Sequence, residues 1–127
     1  MKKISTDKAP RAIGPYSAAL QSGNLIFCSG QTPLNPETMA IEGATASEQT
    51  TLVLNNLEAV LKAAGADRTH VLKTSVFLKN FADFEKMNKA YEQFFGDHKP
   101  ARTTVEVSRL PKEALVEIEC VAEVVKS

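Results

Sequence analysis

The stretch VLKTSVFL (Val71 to Leu78), lying between two helical patterns, decides the fold. It is rich in β-branched and apolar residues, holds no Gly or Pro, and reads as a strand. Upstream, a helix begins near Thr45, with Glu48 as its capping-box partner. That helix continues through Val53, Leu57, Val60 and Ala64 at helical spacing, and Gly65 supplies the stop. Downstream, a second helix opens at Asn80 as N-cap and closes at Gly96. Its apolar stripe of Phe84, Met87, Tyr91, Phe94 and Phe95 is assigned to the core.

Working outward, RTTVEVS (Arg102 to Ser108) and ALVEIECVAEVV (Ala114 to Val125) are two further strands. In the last one Val116, Ile118, Cys120, Ala122 and Val124 point one way; Glu117, Glu119 and Glu123 point the other, with Val121 among them. Before the first helix, SAALQ, a Ser22-Gly23-Asn24 turn and LIFCSG read as short strands. The order is strands, helix, strand, helix, strands. This is an α+β pattern, with both helices packed on one face of a mixed or antiparallel sheet. No repeat, low-complexity tract or linker appears, so residues 1–127 read as one domain.

The composition, 43% hydrophobic and 24% charged, is that of a globular protein. Fifteen basic residues balance fifteen acidic ones, which argues against a nucleic-acid backbone as the main partner. No run approaches a membrane span and the first residues hold no apolar segment of signal-peptide length, so the cytosol is the expected compartment. Cys28 and Cys120 lie in apolar strands, outside metal-ligand spacing, and read as reduced core thiols. His70 and His98 stand alone in polar surroundings and read as surface residues. No metal site is expected.

From Ala12 to Pro36 there is no charged residue. Either this is a buried hairpin, or it is a segment held against a partner chain or ligand, where charges would be costly to desolvate. The second sheet face is expected to carry Arg102 and Thr104 from one strand and Glu117 and Glu119 from another, and to be covered by homo-oligomerisation. If the last two strands form a hairpin around Arg109 to Glu113, Arg102 and Glu117 fall within a row or two of each other. They are then either a solvated ion pair or a carboxylate-gripping guanidinium beside a proton-handling carboxylate. Periodicity does not choose between these.

Further motifs do bear on the choice. A-I-G-P-Y-S (Ala12 to Ser17), S-G-Q-T-P-L-N-P (Ser29 to Pro36), K-T-S-V-F-L-K (Lys73 to Lys79), M-N-K-A-Y-E-Q-F-F (Met87 to Phe95), K-P-A-R-T-T-V-E-V-S-R-L-P-K (Lys99 to Lys112) and V-E-I-E (Val116 to Glu119) run in order over nearly the whole chain. Together they resemble the reactive-intermediate deaminase (Rid) family, whose members have also been described as translation inhibitors and endoribonucleases. The resemblance implies a chorismate-mutase-like fold and a homotrimer with active sites in clefts between subunits. It implies hydrolysis of 2-imino acids, such as 2-iminobutanoate and 2-iminopropanoate, to 2-keto acids and ammonia, without a cofactor.

By that resemblance Arg102, of the P-A-R motif, binds the substrate carboxylate, and Glu117 is the catalytic carboxylate. Tyr16, Ser29 and Gly30 line the same cleft. Asn88 matches the family asparagine near the site, either as a contact or as a helix amide. Thr104 stands where many relatives have cysteine. The position is expected to offer its backbone N–H to the carboxylate, which threonine also provides, so activity should survive without a thiol. Two other functions stay open: an endoribonuclease, against which the balanced charge and isolated histidines speak, and a small-carboxylate-binding or chaperone-like module, which would not depend on Glu117.

Overall fold

The structure, a computed structural model, describes residues 1–125. Its elements are β1 (Lys2–Ile4), β2 (Ala19–Ser22), β3 (Leu25–Gln31), α1 (Ala46–Ala63), β4 (Val71–Leu78), α2 (Phe84–Phe95), β5 (Ala101–Glu106) and β6 (Val116–Glu123). The strands form a six-stranded mixed sheet in the order β1-β2-β3-β6-β4-β5. All neighbours are antiparallel except β4 and β5, which run parallel. The α+β class and the strand assignments agree with the sequence patterns; β1 is an addition that its short, polar sequence did not announce.

The hairpin considered for the last two strands, on which the closeness of Arg102 and Glu117 depended, does not form. Strand β5 pairs with β4 alone, and β6 pairs with β4 and β3. The physical reason is the βαβ unit: two parallel strands need a crossover, and α2 supplies it. Strand β4 therefore lies between Arg102 and Glu117.

Local signals fix the helices. The Thr45 hydroxyl accepts the Glu48 N–H at 3.2 Å, capping α1. The Glu48 carboxylate reaches back to the N–H of Ala44 at 3.3 Å, one residue earlier than a capping box requires. Asn80 caps a short 3-10 turn, Phe81–Asp83, by accepting the Ala82 N–H, and α2 continues from that turn. Gly96 ends α2 with φ +63°, a left-handed value that glycine adopts without strain.

Both helices cover one sheet face. Val53, Leu54, Leu57, Val60 and Leu61 of α1 and Met87, Tyr91 and Phe95 of α2 pack on Ile26, Val76, Ile118 and Ala122. Cys28 and Cys120 are buried in the same core as directly opposed cross-strand partners. Contact with Cys28, together with burial, pushes the Cys120 thiol far above its usual range and keeps it protonated. The two histidines are not simple surface residues. Both are half-buried and tie the chain locally, His70 Nδ1 accepting the Asp67 N–H at 3.0 Å and His98 Nε2 contacting the Val71 carbonyl at 2.6 Å.

One polar clamp joins the ends of the helices. Arg68 donates to both carboxylate oxygens of Glu58, at 2.8 and 2.6 Å, and to the carbonyl of Phe94 at 2.8 Å. The hydrogen bonds from Arg68 hold the Glu58 carboxyl below its ordinary range against the opposing effect of burial. A depressed carboxylate contributes stability above its unfolded pKa, and the contribution is lost as pH falls through the folded value. Glu58→Gln is expected to cost about 1–3 kcal/mol at pH 7 in urea unfolding. The gap to wild type should close as the pH drops below about 4.

Candidate active site

Strand alternation sends Glu117 to the sheet face away from the helices, where it is half-buried. Opposite it, β3 carries a bulge: Cys28 pairs with Cys120 and Gln31 with Ile118, so Ser29 and Gly30 face Glu119 together. The absence of a side chain at Gly30 makes room for the carboxylate. A Cβ there would lie 2.8 Å from Glu117 Oε2 and 2.9 Å from its Cδ, closer than such atoms approach. Ser29 fastens the bulge to the preceding segment, donating its hydroxyl to the Ser17 carbonyl at 2.7 Å and its N–H to that of Ala18 at 2.9 Å. That segment carries Tyr16, which is exposed at the rim.

Glu117, Gly30 and Tyr16 thus share one cavity of about 240 Å³, walled also by Arg11, Leu34 and Lys112. Lys112 sits in a turn with φ +56° and donates its ammonium to the Met39 carbonyl at 3.1 Å. Burial is the main cause that raises the Glu117 carboxyl above its ordinary range, and the charge of Glu119 adds to it. A carboxyl so placed is a better proton donor near neutral pH than an exposed one.

Arg102 is built into a different cavity, of about 510 Å³, with Asn88, Tyr91 and Pro100 in its wall. Its strand position is opposite Thr74 of β4, in the row that continues to Cys120, and Thr104 is opposite Val76. Both side chains therefore lie on the helix-covered face, which corrects their expected place beside Glu117 and Glu119. The guanidinium sits 4.8 Å over the Tyr91 ring and 5.7 Å over Phe84. Among the described residues no carboxylate lies within ion-pairing distance of it. Nearby, the Asn88 side-chain carbonyl and the Thr104 hydroxyl are buried without a hydrogen-bond partner.

One chain thus gathers its candidate residues into two half-sites. Tyr16, Ser29, Gly30 and Glu117 belong to one, and Arg102, Asn88 and Thr104 to the other. With one strand between them and three residues of stagger, the Arg102 and Glu117 backbones are roughly 14 Å apart, and their side chains leave opposite faces. The cross-strand ion pair is therefore not the role of either residue within a chain. Sequence reasoning missed Arg11 and Lys112 at the first half-site and treated Phe84 and Tyr91 only as core. The R-L-P-K run (Arg109 to Lys112) was the available signal for Lys112. Among the described residues no cluster of His, Cys, Asp and Glu is arranged to hold a metal ion. Among the described residues no helix is long and apolar enough to cross a membrane.

Comparison with known proteins matches residues 6–124 to the endoribonuclease L-PSP family. A RutC family protein of Pyrococcus abyssi is 51% identical over 119 residues, 94% of each chain. The chloroplastic Reactive Intermediate Deaminase A of Arabidopsis thaliana is 45% identical over 119 residues, covering 94% of this chain and 64% of its own length. Among solved structures, E. coli TdcF with bound serine superposes with a TM-score of 0.93 at 40% identity, over 100% of both chains.

The two causes acting on Glu117 separate in a titration. Followed by carbon-13 NMR, its carboxyl midpoint is expected above the ordinary value of 4.5. In Glu119→Gln the midpoint should move down yet stay raised, because burial is the larger cause.

Proposed function

The chain belongs to the endoribonuclease L-PSP family, which holds the Rid deaminases, and we propose that it hydrolyses reactive 2-imino acids and their enamines to 2-keto acids and ammonia. 2-Iminobutanoate and 2-iminopropanoate are the proposed substrates, and the cytosol, where both thiols stay reduced, is the proposed compartment. The observation that carries this reading is Glu117: a half-buried carboxyl, raised above its ordinary range, facing a small cavity. The likeness to a reactive-intermediate deaminase, and to a TdcF structure with serine bound, adds support for small carboxylate substrates.

The chemistry asked of the site is modest. Water adds to the imine carbon, the C–N bond breaks, and ammonia leaves as the C=O forms. Protonating the imine nitrogen makes that carbon electrophilic, so no cofactor is required. Glu117 delivers the proton or takes one from the attacking water, and such a positioned group gives ~10²–10⁴-fold. Arg102 offers its planar fork to the substrate carboxylate, fixing orientation, with the backbone N–H of Thr104 as a second donor. Tyr16, Ser29 and Asn88 complete the surroundings of substrate and water.

A site that uses both Arg102 and Glu117 has to draw them from different chains, because one chain keeps them on opposite sheet faces. This favours sites between subunits, as in the homotrimer that the family resemblance implies. The open sheet face supports an interface, since Leu20, Leu25, Phe27 and Val105 are exposed on it. The electrostatics fit as well: a guanidinium without a carboxylate partner and a carboxyl that resists ionising are complementary to a carboxylate-bearing imine.

The decisive assay supplies threonine to a threonine dehydratase and traps leftover imine with semicarbazide. Adding this protein should speed 2-ketobutyrate formation and lower the trapped product. Glu117→Gln should lose roughly two orders of magnitude in turnover while still binding 2-ketobutyrate. Arg102→Lys should weaken that binding, because it keeps the charge but not the fork. An unchanged rate at every wild-type concentration, together with cleavage of added RNA, would replace the deaminase reading with the endoribonuclease one.

A further inference from the structure

Arg102 is held in an unusual way for a cation. Ring faces lie beside it, Tyr91 at 4.8 Å and Phe84 at 5.7 Å, and among the described residues no carboxylate is within ion-pairing distance. Phe84, Asn88 and Tyr91 occur at helical spacing, so one stripe of α2 presents both rings to β5. Tyr91 is in turn fixed from below: its hydroxyl meets the Thr74 hydroxyl at 2.7 Å, and its ring packs 4.7 Å from that of Phe95. Thr74 is fully buried, and it is also the cross-strand partner of Arg102. The contacts close a loop from β4 through α2 to β5 and back to β4.

We infer that Tyr91, locked by Thr74, is a positioning residue for Arg102: its ring face sets the plane of the guanidinium and leaves the N–H edge free for a ligand carboxylate. A carboxylate partner would have held the arginine equally well, but it would have occupied that edge. A ring holds the flat face of the guanidinium and takes no N–H. Burial keeps the phenol above its usual range, so it stays protonated beside the cation. The inference rests on the deaminase reading only for the identity of the carboxylate.

The test follows the Arg102 Nε–H signal of nitrogen-15-labelled protein, assigned by its loss in Arg102→Lys, alongside calorimetry with 2-ketobutyrate. Wild type is expected to show a resolved, ring-shifted Arg102 signal. Tyr91→Leu should return that signal to the position of mobile arginines and weaken 2-ketobutyrate about ten-fold. Tyr91→Phe keeps the ring and should keep both, although it and Thr74→Val should each lower the melting temperature by breaking the same hydrogen bond. Tyr91→Met, which removes the ring but fills much of its volume, is read in the same way and decides the matter if Tyr91→Leu does not fold. An unchanged Arg102 signal in Tyr91→Leu or Tyr91→Met would overturn the inference, as would a Tyr91→Phe that loses as much affinity as these ring-free variants. A wild-type protein without deaminase activity would overturn the function proposed above, while the Arg102 signal would still decide the positioning role.

Discussion

Two parallel strands cannot be joined by a tight turn, and the rest of the structure depends on how β4 and β5 meet that constraint. The chain crosses over through α2, which places the helix above the strand it has just left and the strand it is about to enter. Arg102 and Thr104 then fall beneath α2, and β4 separates them from β6. Glu117 is left to the opposite face, against the bulge of β3. The same crossover thus gives Arg102 its aromatic support and takes Glu117 out of its reach.

Each half-site is unbalanced by itself. Glu117 loses hydration without forming an ion pair among the described residues, so its carboxyl is raised above the ordinary range. The rings beside the Arg102 guanidinium replace part of its hydration without consuming its hydrogen-bond donors. An isolated chain therefore holds a carboxyl inclined to donate and a cation inclined to bind an anion, in separate cavities. The proposed chemistry on an imino acid uses both at one substrate, and so links activity to assembly.

Much of the fold was legible in the sequence. Helical spacing marked both helices, and alternation placed Val116, Ile118, Cys120 and Ala122 in the core. The register was not legible, and the reason is local. The short connection from Ser108 to Leu115 resembles a hairpin loop, whereas the strand-helix-strand order before it demands a parallel pair. Giving weight to the loop put Arg102 beside Glu117; giving it to the βαβ unit would have put them apart. The candidate site residues were picked out by motif, and their division into two groups came only from the faces of the sheet. The role of Tyr91 was hidden because a stripe that packs a core and one that holds a guanidinium share the same spacing.

The central claim is that one active site takes Arg102 from one subunit and Glu117 from another. Co-expression of differently tagged Arg102→Ala and Glu117→Gln chains, purified through both tags so that each oligomer contains both, tests it most directly. In every such mixed trimer one site of the three draws an intact residue from each chain, so about a third of wild-type imine hydrolysis is expected, although either variant alone is nearly inactive. Mixed oligomers no more active than the separate variants would contradict the claim and return both residues to a site within one chain.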